Sequence, residues 1–325
     1  MLERNLQKQA REIVCVIVGT HDMKLPKSTS RFFLPAVCAL MAFATAAWAD
    51  SVIYNTAGSF TWTCPAGVNS VQVECWGGGG AGGGAVRSGS SNSGGGGGGG
   101  GAYTRSTIVV SPGTPYTVNV GAGGPFTTGI SVTGTAASGG DSGFTDATPT
   151  ILVLAKGGSG GQDVFGSGAK GSGGSGGQAS SAVATGTGNA TFSGGNGKTT
   201  SSGSNGGGGG SSAGNAANGN NGGSPNNYSP GAAPTGGGAG GAGASASGAG
   251  SAGSAPGGAG GAAVSSGSQK NGGNGAVGQV TLTYTVAYDH VNVETAADGS
   301  GTTVPAQDIS AGGSLTLTFL PPLLP

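Results

Sequence analysis

Serine and histidine together could do nucleophilic chemistry in this chain. The pattern Gly-x-Ser-x-Gly, which places a reactive serine on a sharp turn in many hydrolases, occurs at residues 157–161 and 173–177. Such a serine needs a neighbouring base, and His290 is the only histidine beyond the N-terminal segment. Neither match lies between a recognisable strand and helix, and the abundance of glycine explains both. The sequence therefore predicts that the protein is not an enzyme.

Two other patterns concern phosphate and metal ions. Residues 197–199, Gly-Lys-Thr, resemble the end of a phosphate-binding loop, but Phe192 stands where that motif requires its first glycine. Asp141, Asp146 and Asp163 could together form one weak calcium site, because carboxylate oxygens are the ligands that calcium prefers. Solvated or turn-capping aspartates are the commoner interpretation. We therefore expect no cofactor and no metal.

The N-terminal segment, residues 1–49, has the order of a secretory signal. A basic stretch begins at Met23, an apolar stretch follows at 32–47, and Ala-Trp-Ala ending at Ala49 fits the rule for cleavage after small residues. The apolar stretch is short for the roughly 20 residues that a membrane-spanning helix needs. We expect cleavage after Ala49, a secreted or cell-surface protein and no membrane span in the mature chain. An upstream extension precedes Met23, so the initiating residue is either Met1 or Met23.

Two cysteines, Cys64 and Cys75, remain after this cleavage. Exported proteins reach oxidising compartments, so one disulfide between these two residues is the natural expectation. Two buried thiols and an intermolecular bridge are the alternatives. Two cysteines are too few for a structural zinc site.

Short strand-like islands stand between the glycine tracts and predict an all-β protein. Residues 60–64 and 71–76 alternate apolar and polar side chains, and a Pro-Ala-Gly turn sequence separates them. Residues 103–110 and 116–120 flank Ser-Pro-Gly-Thr-Pro, which predicts a hairpin or a tight β-corner. The remaining predicted strands are 151–155 and 280–286.

The chain has 77 glycines among 325 residues and only 7% charged residues. Sparse Lys and Arg argue against nucleic acid as a partner, because phosphate binding needs clustered cations. The glycine tracts could be flexible linkers, since ordering a glycine costs roughly 1 to 2 kcal/mol. They could instead form bundled polyglycine II helices of three residues per turn, whose outward amides pair with close neighbours. Alanine and serine are frequent at 236–278, so we expect this tract to be the least regular.

The order of the islands resembles the bacterial and phage glycine-rich domain. That pattern has an aromatic residue and Thr, then Pro-x-Gly-Val, alternating valines and Trp-Gly-Gly-Gly-Gly, which here correspond to residues 60–68 and 71–80. Three later pieces agree and extend the resemblance to residues 51–286. Those pieces are 101–103 with 111–113 and 120–124; 139–144; and 275–284.

The resemblance implies a small β-sandwich that carries a polyglycine II helical bundle and long loops. Similar bundles occur in phage tail-fibre tips, where loops at the far end of the bundle contact the receptor. By analogy we look for a loop rich in side chains, and residues 215–228 fit best, although a solvated connector has the same composition. The candidate ligand residues are Asn220, Asn221, Asn226, Asn227 and Tyr228.

The sequence thus predicts a glycine-rich domain at 50–286, followed at 287–325 by the start of a second, truncated β-module. We expect a secreted or surface-displayed structural or adhesive module without catalysis, with a surface glycan or a protein as receptor. An ice-binding polyglycine II protein is one alternative, although the irregular spacing of small residues argues against it. A disordered elastic matrix polymer is the other.

Overall fold

The computed structural model describes residues 46–224, 226–291 and 307–310, and in that part of the chain the protein is all-β. The described residues contain no α-helix and one 3-10 turn, Ala179–Ser181. No helix among them is long and apolar enough to cross a membrane. The strands are β1 Ala46–Tyr54, β2 Gly58–Thr63, β3 Ser70–Trp76, β4 Ala85–Val86, β5 Ser93–Gly94, β6 Tyr103–Val109, β7 Pro115–Val120, β8 Gly134–Thr135, β9 Ser142–Thr145, β10 Ile151–Ala155, β11 Gln162–Phe165, β12 Val183–Ala184, β13 Thr187–Phe192, β14 Val264–Ser265, β15 Gln279–Val291 and β16 Gln307–Ser310.

Two antiparallel sheets contain most of these strands. The six-stranded sheet has the order β1-β15-β3-β6-β13, with β16 also paired to β15, and the five-stranded sheet has the order β12-β10-β9-β7-β2. A three-stranded sheet, β4-β11-β8, and a two-stranded sheet, β14-β5, are formed by short strands in the glycine-rich region.

The two larger sheets share one hydrophobic core. Alternate residues of β3 are buried because successive side chains of a strand point to opposite faces of the sheet. Trp62 of the five-stranded sheet contacts Phe144 of the same sheet and Tyr284 of the six-stranded sheet, with ring centroids 6.0 and 5.5 Å apart. The Phe144 ring also stacks on Tyr116 at 5.1 Å. Aromatic packing therefore ties the two sheets together.

Every predicted strand lies within or largely within an observed strand. The segment between β6 and β7 joins strands of different sheets, so it is a β-corner and not a hairpin. Gly113 in this corner and Gly67 in the turn before β3 have φ angles of +76° and +77°, which side-chain-bearing residues rarely adopt. The sequence did not predict β9 and β13, because glycine and threonine interrupt their apolar pattern.

β1 and β15 pass through both predicted boundaries of the domain. The predicted cleavage site after Ala49 lies inside β1, which pairs with β15 from Ala46 to Tyr54. The predicted start of a second module at residue 287 lies inside β15, which continues to Val291 and pairs there with β16. Most of the predicted signal, at 1–45, and of the second module, at 292–306 and 311–325, lies outside the described residues.

Candidate functional site

Glycine segments leave the ends of the six-stranded sheet and bond to one another through their backbones. Segment 77–84 follows β3 and segment 94–102 precedes β6. The amides of Gly77, Gly80 and Gly83 donate to carbonyl groups of segment 94–102 at 2.8–3.0 Å. The intervening amides donate to segment 137–140 and to segment 270–276. Successive amides thus point to three neighbours, and the direction repeats every third residue.

We call this set of hydrogen-bonded segments the glycine array. Segment 94–102 illustrates its interior, because it donates to three neighbouring segments and accepts from three more. The amides of its residues 95–102 donate to 156–162, 195–198 and 257–263, and its carbonyl groups accept from 77–83, 171–177 and 207–213. The other segments of the array are 121–124, 136–140, 219–222, 228–231, 237–244, 250–254 and 270–278.

Close approach of backbones explains why the interior of the array is glycine. A Cβ atom placed on Gly96, Gly99 or Gly100 would lie 1.8 to 2.0 Å from a carbonyl oxygen of a neighbouring segment. Real Cβ atoms essentially never come within 3.0 Å of another heavy atom. Glycine is therefore required at these positions by packing.

The alanine- and serine-rich tract after residue 236, which was expected to be the least regular, contains one continuously hydrogen-bonded stretch at 257–264. The amides of 257–264 form backbone hydrogen bonds of 2.8–3.0 Å, whereas the amides of Ala239, Ala242 and Ala252 have no backbone acceptor in the part of the chain that the structure describes. Ala259, Ala262 and Ala263 are completely buried within this stretch. Close packing thus excludes side chains at particular positions and accepts a methyl group at others.

Side-chain oxygens cap the amides at the margin of the array. Asn196 Oδ1 accepts from the Gly176 amide at 2.8 Å, and Asn221 Oδ1 accepts from the Asn196 amide at 2.7 Å. This arrangement satisfies donors that have no further backbone neighbour, as a capping residue does at the start of a helix. In the same way, side-chain oxygens of Asp141, Thr199 and Asn218 accept hydrogen bonds from the backbone amides of Gly157, Gly173 and Ser193, respectively.

We expect Asn196→Ala to lower the free energy of unfolding by about 1 kcal/mol, because the Gly176 amide loses its acceptor. Denaturant unfolding measures the change. Asn226→Ala is the matched control, since the exposed Asn226 side chain makes no hydrogen bond within the described residues, and we expect a change below about 0.5 kcal/mol. Equal effects of the two substitutions would contradict the capping role.

The predicted ligand residues contribute to this margin. Asn220 donates through Nδ2 to the Ala232 carbonyl at 2.8 Å, and Asn221 caps Asn196. The Asn227 side chain donates to Ser201 Oγ. The Tyr228 carbonyl accepts from the Gly243 amide at 2.8 Å, and its side chain is half-buried. The Asn226 side chain remains exposed, so among the five it offers the freest polar group to a ligand.

The three aspartates considered for calcium have separate partners. Asp141 pairs with Lys156, Asp146 accepts from Thr148 and Thr150, and Asp163 accepts from the Gly84 amide at 2.7 Å. Among the described residues, no group of three acidic, histidine or cysteine side chains could hold a metal ion. The hydrogen bonds from its own turn lower the pKa of Asp146, which is the behaviour of a turn-capping carboxylate.

The predicted disulfide between Cys64 and Cys75 is absent, and both residues are free thiols in the core. Cys64 lies just after β2 of one sheet, and its thiol contacts the Val68 carbonyl at 3.2 Å. Cys75 lies within β3 of the other sheet and is completely buried. Burial raises the pKa of both thiols, and the neighbouring carboxylate of Glu74 adds to the rise at Cys75.

We expect the native protein to leave both thiols unmodified by a maleimide reagent, because the thiolate is the reactive form and neither side chain is accessible. Protein cleaved after Ala49, which retains Cys64 and Cys75 as its two cysteines, should incorporate two equivalents of reagent after unfolding in denaturant without a reductant. Mass spectrometry measures both values. An unfolded chain that reacts with the reagent only after reduction would show that Cys64 and Cys75 form a disulfide.

An aromatic cluster joins the six-stranded sheet to the array. Trp76 ends β3 and Tyr103 begins β6, and their ring centroids are 4.8 Å apart. Tyr103 is completely buried and its hydroxyl donates to Glu74 at 2.6 Å. Burial and this hydrogen bond raise the pKa of Tyr103 above its usual range. The cluster therefore holds segments 77–84 and 94–102 at a defined separation where they leave the sheet.

The end of the array away from the two larger sheets, which we call the remote end, carries most of the domain's cations. Segment 77–84 runs from β3 toward it and segment 94–102 returns, so the loop at 86–93 lies there. Arg87, Lys170 and Lys270 lie in this loop and its neighbours, with Lys198 one turn nearer the sheets. Local sequence patterns did not single out these residues, although the alternation of outward and returning glycine tracts is a signal that would have located them.

The fold and the array define an all-β protein in which glycine tracts are structural elements. The chain belongs to the glycine-rich domain family, whose sequence model matches residues 55–285. No curated protein matches the chain.

Proposed function

We propose that this protein is an exported, surface-displayed module that acts as a rigid support and as an adhesin, without catalysis. The observation that carries the proposal is the close contact of interior glycines with neighbouring carbonyl groups. Such packing leaves no room for the side chains of a catalytic site inside the array, and it makes the array a stiff body. A stiff body suits the presentation of loops at a distance from the cell.

The proposed architecture is a polyglycine II bundle carried by a β-sandwich. The three-residue repeat of hydrogen-bond direction supports the first part, since polyglycine II helices have three residues per turn. The shared aromatic core of two antiparallel sheets supports the second part. Six residue steps from Gly77 to Gly83, at roughly 3.1 Å each, hold the remote end roughly 19 Å beyond the six-stranded sheet.

Export follows from the proposed signal at 1–49. Cleavage after Ala49 would leave β1 with the pairs from Asp50 to Tyr54, and Tyr284 would still donate to Asp50 at 3.2 Å. The shortened β1 can therefore close the edge of the six-stranded sheet. N-terminal sequencing of secreted protein should find Asp50 first, and a retained Met1 or Met23 would contradict the proposed cleavage.

Binding and amide exchange together test the module. Folded, exported protein should bind one or more members of a panel of surface glycans, host-cell surfaces and matrix proteins. Absence of binding to the whole panel would reduce the function to scaffolding.

Amides of 77–84 and 94–102 should exchange slowly with solvent. Complete exchange on the fastest timescale would favour the disordered elastic polymer.

A further inference from the structure

The charged residues of the domain are segregated between its two ends. The remote end has four cations, Arg87, Lys170, Lys198 and Lys270, and one acid, Asp163. Within residues 50–286, the end that contains the two larger sheets has two cations and four acids. The two cations are Arg105 and Lys156, and the acids are Asp50, Glu74, Asp141 and Asp146. The remote end is therefore positive although the whole sequence has a formal net charge of zero.

Three of the remote cations belong to loops that are hydrogen-bonded to each other. The backbone of Lys270 pairs with Ala85, and the Arg87 amide donates to Ser265 Oγ at 3.2 Å. On the other side, Lys170 forms a bridge with Gly94. The loop that carries Arg87 thus lies between the loops that carry Lys170 and Lys270.

These cations remain available to a ligand. The one ion pair among the described residues joins Lys156 to Asp141 at the opposite end of the domain. Asp163 forms no ion pair with these cations within the described residues, because it is only 3% exposed and accepts from the Gly84 amide. Lys170 is exposed, and Arg87 and Lys270 are half-buried.

We propose that the remote end binds an acidic polysaccharide, an inference that rests on the proposed adhesive function and adds the ligand's chemical class. Arg87, Lys170 and Lys270 would contact its carboxylates. The same surface exposes Phe165 and Val132, which are 40% and 70% accessible and offer apolar area to the faces of sugar rings. Serine and threonine at 88–91, 131–133 and 265–268 supply hydrogen-bonding groups for sugar hydroxyls.

A second copy of the chain fits this surface less well. Its acidic end would have to supply the anions, but the four carboxylates of that end within residues 50–286 are engaged within their own molecule. Asp141 is paired with Lys156, Asp146 is bonded within its own turn, and Glu74 accepts from Tyr103. An external polyanion has no such prior partners.

The test compares binding of the exported protein, which after cleavage lacks the basic segment 1–49, to polygalacturonate, which carries carboxylates, and to dextran, which is neutral. We expect polygalacturonate to bind more tightly, with an affinity that falls as salt rises from 50 to 300 mM, because salt screens exposed charges. The double substitution Lys170→Gln, Lys270→Gln should weaken this binding about tenfold. The matched control, Arg105→Gln with Lys156→Gln, removes the same amount of charge at the other end of the domain. It should change the affinity for polygalacturonate less than about twofold.

The outcomes separate this inference from the proposed function. Equal binding of dextran and polygalacturonate, or equal effects of the two double variants, would overturn the acidic ligand while adhesion stands. Binding of neither polysaccharide would also overturn it, and the wider panel of glycans, cells and matrix proteins then decides adhesion. Self-association that the Lys170→Gln, Lys270→Gln variant abolishes would assign the cations to a contact between copies.

A Phe165→Ala variant that weakens polygalacturonate binding a few-fold with an unchanged salt dependence would support the role of the Phe165 ring in contacting sugar rings.

Discussion

Gly99→Ala is expected to lower the free energy of unfolding by about 3 kcal/mol or more. The new methyl carbon would lie 2.0 Å from the Ser175 oxygen and 2.3 Å from its carbonyl carbon, so backbone segments would have to separate. That movement also disturbs the hydrogen bond from the Gly99 amide to Ser159, which is 2.9 Å long. Denaturant unfolding followed by circular dichroism measures the loss.

Gly267→Ala is the matched control for this substitution. A Cβ atom on Gly267 would meet no heavy atom within 4 Å, and its φ angle lies outside the range that side chains avoid. Alanine also reduces the entropy of the unfolded chain, so we expect stability to be unchanged or to rise by about 0.4 to 1 kcal/mol. Similar small effects at both positions would mean that the array is not packed as the structure has it.

Phe144→Ala is expected to lower the free energy of unfolding by about 3 to 5 kcal/mol. The Phe144 side chain has no exposed surface, and its ring stacks on Tyr116 and packs against Trp62. Its removal leaves a cavity between the two sheets and breaks their aromatic contact. The same substitution at Phe165, which is 40% exposed, should change stability by less than about 1 kcal/mol.

The Phe144→Ala substitution also tests whether the hydrogen-bonded array depends on the two sheets for its stability. A backbone hydrogen bond contributes about 1 kcal/mol net, whereas ordering one residue costs roughly 1 to 2 kcal/mol. This balance favours an array whose segments are anchored by a separately stabilised core. We therefore expect Phe144→Ala to destabilise sheets and array in one transition, with amides of 77–84 and 94–102 losing protection together with those of β3. Protection of the array that survives loss of the sheets would contradict this dependence.

Local patterns predicted much of the β-structure. The alternating residues of β3 and β15 and the Pro-Gly turn before β7 specify strands and turns through interactions between near neighbours in the chain. The short strands β4, β5, β8 and β14 have no such local signal. They exist because the loops at the remote end meet, and that meeting depends on the whole array.

Amino-acid composition and order by themselves determined that the protein is β-rich, that it has a glycine-rich domain and that its charge is sparse. The tertiary structure alone decided which glycines are indispensable, why Ala262 fits inside the array and Gly99 admits no side chain, and that Cys64 and Cys75 are buried free thiols. It also brought Arg87, Lys170 and Lys270 to one end. The physical reason is that a period of three in a run of glycines leaves no mark in the sequence, since each amide's partner lies in a distant segment of the chain.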